Sequence, residues 1–236
     1  MFIRRFRPGD SARIKSSEIT DESVYLNRRQ LLQAAAVTGL AGVSAFRPTP
    51  ARAEVIPLKY EHNEEFSTTQ PPNSWEDITT YNNYYEFGTS KSDPSENSGR
   101  FQPEPWTVTV SGEAEVTGKF DFADFLGTKD LEERVYRLRC VEAWSMVIPW
   151  IGVPLAKILP RFKPTSKAKY VAFKTVYRPS EMPGQRVPVL DWPYVEGLRM
   201  DEAMNPLTLI AVGVYGKSLP NQNGATLRLV TPWKYG

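Results

Sequence analysis

The single cysteine of the chain, Cys140, lies in the run RLRCVEAWSM, among charged and aromatic side chains. One thiol cannot form an internal disulfide, so Cys140 is either a small buried hydrophobic residue or a sulfur that performs chemistry. Nearby positive charge, here Arg137 and Arg139, favours thiolate over thiol, and a thiolate is a soft ligand that suits a soft metal. Taken alone, the run leaves both interpretations open.

The remaining residues cannot complete an ordinary protein metal site. His62 is the only histidine, and its polar surroundings predict an exposed side chain without a role. One Cys and one His cannot form a zinc cage, and the sequence lacks a Cys cluster for iron–sulfur and a Cys-x-x-Cys-His motif for covalent haem. A Ser–His–Asp triad would depend on His62, and glycine-rich phosphate loops are missing. If a metal binds Cys140, most of its ligands must come from a cofactor.

A strand is expected to position this sulfur. The alternation in VYRLRC, residues 135–140, predicts a strand with Tyr136, Leu138 and Cys140 on one face. The residues after Cys140 leave the strand pattern, so the thiol is predicted where a strand becomes a loop, and loops on a rigid sheet often present ligands.

The other segments predict an α+β fold with mixed β-sheets, short helices and long irregular segments. Residues 54–80 are polar and turn-rich, which indicates an irregular lead-in. The aromatic run NNYYEF can be either core and turn or part of a site. Strands out of strict βαβ order favour the α+β class. The predicted strands are WTVTVSG (106–112), AKYVAFKTVY (168–177) and ATLRLVTPW (225–233), and short helices are predicted in FDFADFLG and from Pro154 onward.

The first 53 residues have the three-part plan of an export signal. Arg28-Arg29 precedes an uncharged run, Gln30–Phe46, and the segment ends in Ala51-Arg52-Ala53. The arginine pair is typical of the twin-arginine route, which moves folded proteins and predicts a periplasmic location. The alternative is an uncleaved membrane anchor, although the uncharged run is shorter than the ~20 residues that span a bilayer.

Charge is unevenly divided between this leader and the domain expected at 54–236. Residues 1–53 hold 9 basic and 4 acidic side chains, whereas residues 54–236 hold 20 and 23. The exported body is therefore mildly acidic, and the sequence offers no basic excess for nucleic-acid binding.

Long stretches of the chain closely resemble the periplasmic protein-methionine-sulfoxide reductase catalytic subunits, which are molybdenum enzymes of the sulfite-oxidase fold. The resemblance covers about 155 residues from Tyr81 onward. The segments that show it are YNNYYEFG (81–88), WTVTVSGEAE (106–115), RLRCVEAWSMVIPWIGVPL (137–155), KYVAFKTVY (169–177) and PYVEGLRMDEAMNPLTLIAVGVYGKSLPNQNGATLRLVTPWKYG (193–236). The segment QRVPVLDWPYVEG (185–197) is shorter than its family counterpart. Family members continue past WKYG, so we expect a C-terminally incomplete domain.

The resemblance implies a cofactor site. Cys140 would ligate molybdenum beside the dithiolene of one molybdopterin, and Glu142 would line the substrate side. Arginine suits a phosphate because its planar fork donates two parallel hydrogen bonds. The residues implied in binding the pterin or its phosphate are Asn82, Tyr85, Glu86, Thr175, Asn223 and Arg228.

The same resemblance implies reduction of methionine sulfoxide in oxidised periplasmic proteins, which is a protein-repair reaction. Electrons would come from a haem-containing membrane subunit, MsrQ, because the body has no haem or iron–sulfur motif of its own. The sequence leaves three alternatives: sulfite-oxidase-like oxidation, reduction of small S- or N-oxides, and a truncated exported binding domain without catalysis.

Overall fold

The computed structural model describes residues 55–128, 130–140 and 142–233, all within one unit, Thr49–Gly236. The signal peptide predicted for residues 1–53 lies outside the described residues. In that part of the chain there are ten strands: β1 (Glu61–His62), β2 (Thr107–Val110), β3 (Gly118–Asp121), β4 (Glu132–Arg139), β5 (Ser145–Pro154), β6 (Tyr170–Lys174), β7 (Val195–Arg199), β8 (Leu209–Val214), β9 (Lys217–Ser218) and β10 (Arg228–Val230).

The helices are short. They are α1 (Trp75–Thr80), α2 (Asp93–Asn97), α3 (Phe122–Leu126), α4 (Leu155–Ile158) and α5 (Met200–Ala203), with 3₁₀ turns at Ser98–Arg100, Leu159–Phe162, Pro183–Arg186 and Asn221–Asn223. No described helix has the length and apolar character needed to cross a membrane. Short helices, mixed sheets and long irregular connections confirm the predicted α+β class.

The largest sheet has the strand order β1-β4-β5-β8-β10, with β9 added against β8. β1 runs parallel to β4, and the remaining neighbours are antiparallel. β2 pairs with β3 and β6 pairs with β7 in two separate two-stranded sheets. The mixture of parallel and antiparallel pairing explains why the sequence does not show a regular βαβ order.

Apolar side chains from this sheet belong to two separate core clusters. Along β8, Leu209 and Ala211 belong to one cluster, and Ile210 and Val212 belong to the other, as expected for a strand buried on both faces. In the first cluster, Tyr136 of β4 lies opposite Ile148 of β5. We call the side of the sheet with this first cluster the site face.

The predicted geometry of the Cys140 strand is confirmed. β4 ends at Arg139, so Cys140 is the first residue beyond the strand. Tyr136 and Leu138 contribute to the first core cluster, while Arg137 and Arg139 are exposed. Cys140 continues the two-residue alternation of Tyr136 and Leu138, so its side chain is expected on the site face.

The lead-in prediction was wrong in part. Residues 54–80 contain strand β1 and helix α1, whose start is stabilised by a capping box between Ser74 and Asp77. His62 lies on β1 with an exposed side chain, and its ring nitrogen Nδ1 is 2.9 Å from a Glu133 carboxylate oxygen. A strand of only two residues is too short to show a period, which explains why the sequence did not reveal it.

Strand β5 is a further element that the sequence analysis did not predict. A helix was expected from Pro154, and α4 does begin at Leu155, but the ten residues before it form a strand whose last eight residues are all buried. Its continuous apolar run gives no alternation, because both faces are covered.

Candidate active site

A cavity of about 230 Å³ opens at the end of β4. It is lined by Ile78, Tyr81, Asn82, Asn83, Tyr84, Leu138, Cys140, Trp144, Met146, Ile148, Trp150, Gln222, Asn223 and Arg228. Tyr81 and Asn83 are exposed, whereas Asn82, Gln222 and Asn223 are buried. The cavity thus has an exposed rim and a buried polar floor, with the thiol half-buried.

Backbone hydrogen bonds fix the position of Cys140. Its N–H donates to the Trp144 carbonyl at 2.9 Å, and its own carbonyl accepts from Ala143 at 3.0 Å. Ala143 has a φ of 74°, the left-handed conformation that a tight reversal requires. These contacts hold Cys140 and Trp144 at the same end of the β4–β5 pair, where both line the cavity.

Two buried asparagines form part of the cavity floor. The side-chain amide of Asn82 donates to the carbonyl oxygen of Ile78 at 2.9 Å, and that of Asn223 donates to the same oxygen at 2.7 Å. The Oδ1 atoms of both residues are buried without a hydrogen-bond partner among the described residues. A buried acceptor without a donor costs free energy, so two of them beside one cavity indicate a ligand with N–H or O–H donors.

The floor also has a positive charge. The Arg228 guanidinium lies 4.8 Å from the centroid of the Trp150 ring and donates to the Asn223 carbonyl at 3.0 Å. Burial lowers the pKa of Arg228, and the charges of Tyr84 and Glu86 oppose that change. Because guanidinium stays protonated in proteins, the floor presents a cation that suits an anionic group such as a phosphate.

Three of the predicted cofactor residues do not line the cavity. Glu86 is buried, and its burial raises the pKa of the carboxyl, while a backbone hydrogen bond and Arg228 lower it. Tyr85 is half-buried, and its carbonyl faces Gly184. Thr175 follows β6 directly and has a buried hydroxyl without a hydrogen-bond partner among the described residues. Their roles at the cofactor stay predictions.

Glu142, the residue predicted for the substrate side, lies beside the rim of the cavity. Its carboxylate pairs with the Lys91 ammonium at 2.6 Å and accepts from the Trp144 indole N–H at 3.0 Å. These two hydrogen bonds, that of Lys91 first, lower the pKa of Glu142. Glu142 is therefore held as an ion pair beside the cavity and is not itself among the lining residues.

Two residues near the rim, Asn83 and Lys91, were not predicted from the sequence. The Asn83 amide nitrogen donates to the Cys140 sulfur at 3.0 Å, and Lys91 donates to the Asn83 side-chain oxygen. Arg137, expected beside the thiol, instead donates to Gln70 and Ser145. The doubled asparagine in NNYYEF was a usable signal for Asn83, whereas Lys91 lies in a loop whose composition is typical of surface.

Comparison with known families defines the class of protein. Residues 95–236 match the oxidoreductase molybdopterin binding domain family. This match and the α+β architecture identify an oxidoreductase with a molybdopterin-binding domain.

Three curated relatives define the family more narrowly, and each is named as the protein-methionine-sulfoxide reductase catalytic subunit MsrP. The relative from Xanthomonas axonopodis pv. citri is 55% identical over 96% of this chain and 71% of its own length. The relative from Burkholderia mallei is 52% identical over 99% and 72%, and that from Pseudomonas syringae pv. tomato is 50% identical over 94% and 71%. The chain belongs to the family of protein-methionine-sulfoxide reductase catalytic subunits.

A solved structure, the sulfane dehydrogenase SoxCD from Paracoccus pantotrophus, also has similarity to the chain. The sequence identity is 14% and the TM-score is 0.46. The similarity covers 82% of this chain and 51% of that one.

The cavity fits a molybdopterin cofactor. Pterin rings have N–H and amino donors. The side-chain oxygens of Asn82 and Asn223, which have no hydrogen-bond partner in the described part of the chain, are acceptors beside the same cavity as Cys140. Arg228 places a cation, which suits a phosphate, at the same cavity, and Cys140 places a sulfur there of the kind that soft metals prefer. Among residues 55–128, 130–140 and 142–233, no group of three or more His, Cys, Asp or Glu side chains could hold a metal ion.

Proposed function

We propose that this chain reduces methionine sulfoxide in oxidised periplasmic proteins, with Cys140 as the protein ligand to molybdenum. Each turnover uses two electrons and two protons to convert one sulfoxide into a thioether and water. The molybdenum cofactor, when bound, supplies the two-electron chemistry at the sulfoxide oxygen. The observation that best supports the proposal is one cavity that contains the thiol, an arginine and two amide oxygens without a hydrogen-bond partner in residues 55–128, 130–140 and 142–233.

The floor residues would hold the cofactor. Asn82 and Asn223 would accept hydrogen bonds from the pterin, because their amide nitrogens are already committed to the Ile78 carbonyl. Arg228 would pair with the phosphate end, and its stacking on Trp150 limits its freedom before the anion arrives. Tyr85, Glu86 and Thr175 are proposed as supporting contacts from outside the cavity lining.

The rim would receive the substrate. Tyr81 and Trp144 lie edge to face, with ring centroids 5.4 Å apart, and both line the cavity. Sulfur groups make favourable contacts with aromatic rings, so this pair suits a methionine-derived side chain. Glu142 and Lys91 place a paired carboxylate and ammonium beside the opening, where protons can be exchanged with solvent.

Export and electron supply complete the proposal. The relatives are named as catalytic subunits, a name that implies a partner subunit. We propose that the partner is the haem-containing membrane subunit MsrQ, and that residues 1–53 direct the folded chain through the twin-arginine translocase to the periplasm. Deleting the partner should slow turnover in cells and leave the rate with an artificial dye donor unchanged.

Replacing Cys140 tests the proposal directly. The wild-type chain and Cys140→Ser, both made in a host that synthesises molybdopterin, are compared for metal content, pterin content and reduction of an oxidised protein by a dye donor. We expect molybdenum and turnover in the wild type, and loss of turnover with retained pterin in the variant. Wild-type activity in Cys140→Ser would contradict the assignment.

Two controls make that comparison specific. Ser145→Ala alters a neighbouring strand residue that does not line the cavity, and it should leave turnover unchanged. Sulfite and dimethyl sulfoxide, assayed beside the oxidised protein, separate methionine-sulfoxide reduction from sulfite oxidation and from small S-oxide reduction.

A further inference from the structure

We infer that Lys91 is a positioning residue that fixes the orientation of the Asn83 side-chain amide, so that its N–H groups face the Cys140 sulfur. The inference deepens the proposed function, since it rests on Cys140 as the metal ligand. It concerns a lysine in a loop that is remote in sequence from the cysteine.

Two side chains, those of Lys91 and Asn83, connect the loop to the thiol of Cys140. The Lys91 ammonium donates to the Asn83 oxygen, and the Asn83 nitrogen donates to the Cys140 sulfur at 3.0 Å. The loop backbone is tied to the same place, because the Asn82 N–H donates to the Lys91 carbonyl at 3.0 Å. The contact therefore joins two segments of the chain at the cavity rim.

The chemistry of the groups determines which way the amide points. An ammonium group has three donors and no acceptor, so only the oxygen of the Asn83 amide can face it. The amide nitrogen then faces the sulfur. Without Lys91, the amide could turn by about half a rotation and place its oxygen against the sulfur, which gives no hydrogen bond to a thiolate.

The ammonium is itself held in place. The Lys91 ammonium lies 2.6 Å from Oε2 and 2.8 Å from Oε1 of the Glu142 carboxylate, and the Trp144 indole N–H donates to the same Oε2 at 3.0 Å. The Lys91 side chain is 24% exposed, so the pair is partly shielded from solvent. Glu142 thereby limits the positions open to the Lys91 ammonium.

A hydrogen bond to a ligand sulfur withdraws electron density from it. Hydrogen bonds to ligating sulfurs are among the features that set the potential of a metal centre. Because the Asn83 N–H favours the more electron-rich, reduced centre, its loss should lower the midpoint potential. Lys91 would thus tune the potential through Asn83.

The test is a double-mutant cycle on the loaded enzyme. Lys91→Met removes the donor, Asn83→Leu removes the amide, and Lys91→Arg keeps a donor-only cation. We expect Lys91→Met and Asn83→Leu each to lower the midpoint potential of molybdenum, the double variant to match Asn83→Leu, and Lys91→Arg to stay near the wild type. Lys119→Met, at an exposed lysine on β3 outside the cavity lining, controls for the loss of a positive charge.

The cycle separates positioning from a simple charge effect. If the loss of the Lys91 charge acts through space, the shifts of Lys91→Met and Asn83→Leu will add in the double variant. Additive shifts, or no shift in either single variant, would overturn the inference. Thermal unfolding of each variant verifies that the comparison is between folded proteins.

A second measurement does not depend on turnover. The Asn83 side-chain amide signals in the NMR spectrum of the oxidised enzyme, assigned by their loss in Asn83→Leu, should move in Lys91→Met and persist in Lys91→Arg. Unmoved signals in Lys91→Met would also overturn the inference. Wild-type preparations without molybdenum would contradict the proposed function and not the inference. In those preparations the Asn83 side-chain amide signals, compared between the wild type and Lys91→Met, would still test the role of Lys91.

Discussion

Asn82 and Asn223 donate their side-chain amide hydrogens to one carbonyl oxygen, that of Ile78 in helix α1. The shared acceptor joins the NNYYEF segment to the turn before β10. Because both side-chain nitrogens face the Ile78 carbonyl, both Oδ1 atoms face away from it. Neither Oδ1 atom has a hydrogen-bond partner among the described residues. The helix thus organises a pair of acceptors that neither segment could position alone.

Asn223→Leu should lose both stability and cofactor. The substitution removes the donor to Ile78 and the acceptor beside the cavity, so we expect the free energy of unfolding to fall by about 1–3 kcal/mol. The molybdenum content per chain should fall as well. Urea unfolding and metal analysis of the purified protein measure the two effects.

The chain offers a matched control for this substitution in the same turn. Asn221 is also buried, donates to the Ser98 and Phe101 carbonyls, and does not line the cavity. Asn221→Leu should therefore lose comparable stability and retain molybdenum in the molecules that fold. Equal metal loss in the two variants would mean that Asn223 acts on folding alone.

The position of Cys140 could be predicted from the sequence, because a half-buried strand shows its alternation directly. Tyr136 and Leu138 point to the core and the arginines to solvent, so VYRLRC reports both the strand and its inner face. Strand β5 could not be recognised in this way, since it is covered on both faces and its apolar run has no period.

Contacts between distant segments were beyond the reach of a single sequence. The shared Ile78 carbonyl depends on how α1 and the Asn221–Asn223 turn meet in three dimensions. Lys91 is flanked by small and polar residues that are typical of exposed loops, so its type and neighbours gave no indication of its contacts. The resemblance indicated Asn82, Asn223 and Arg228, and the structure supplies what each contacts.

Glu132→Gln should destabilise the sheet that carries Cys140. The buried Arg134 on β4 pairs with Glu132 at 2.6 Å and also donates to the Tyr136 hydroxyl at 2.7 Å. Removing the carboxylate charge leaves the guanidinium uncompensated inside the protein, which costs about 3 kcal/mol. Glu115→Gln breaks the exposed pair with Lys163 and should leave urea unfolding unchanged. Equal urea midpoints for Glu132→Gln and Glu115→Gln would show that burial of the Glu132–Arg134 pair does not increase its contribution to stability.

Gly184→Ala should disturb the segment that contains Tyr85 and Glu86. An added Cβ would lie 1.9 Å from the Tyr85 carbonyl oxygen, and the Gly184 N–H donates to the Glu86 carbonyl at 2.7 Å. The backbone must therefore move, and we expect a loss of about 1–3 kcal/mol, as for an overpacked core. Gly197→Ala on β7 has nothing within 4 Å of the new methyl group and should be neutral or slightly stabilising. Chemical unfolding of the two variants measures the change in the free energy of unfolding. An unchanged value for Gly184→Ala would show that the backbone around Tyr85 and Glu86 accommodates the methyl group without cost.

The buried carboxyl of Glu86 predicts a particular pH dependence of stability. Burial raises its pKa above the ordinary value of 4.5, so the folded state retains the proton at a pH where the unfolded state has lost it. The stability that this proton contributes is complete below pH 4.5 and is lost as the pH rises through the folded-state pKa. Glu86→Gln cannot lose a proton, so its free energy of unfolding should increase relative to the wild type over this interval and then level off.

Urea unfolding of both proteins, repeated from below pH 4.5 to neutrality, measures the difference at each pH. Glu96→Gln, at an exposed position in α2, provides the control for replacing a carboxyl by an amide outside the buried site. A difference between Glu86→Gln and the wild type that stays constant over this pH range would mean that Glu86 ionises alike in the folded and unfolded chain. Because Arg228 is the charge that opposes burial at Glu86, adding Arg228→Met should raise the pKa of Glu86 further and extend the interval to higher pH.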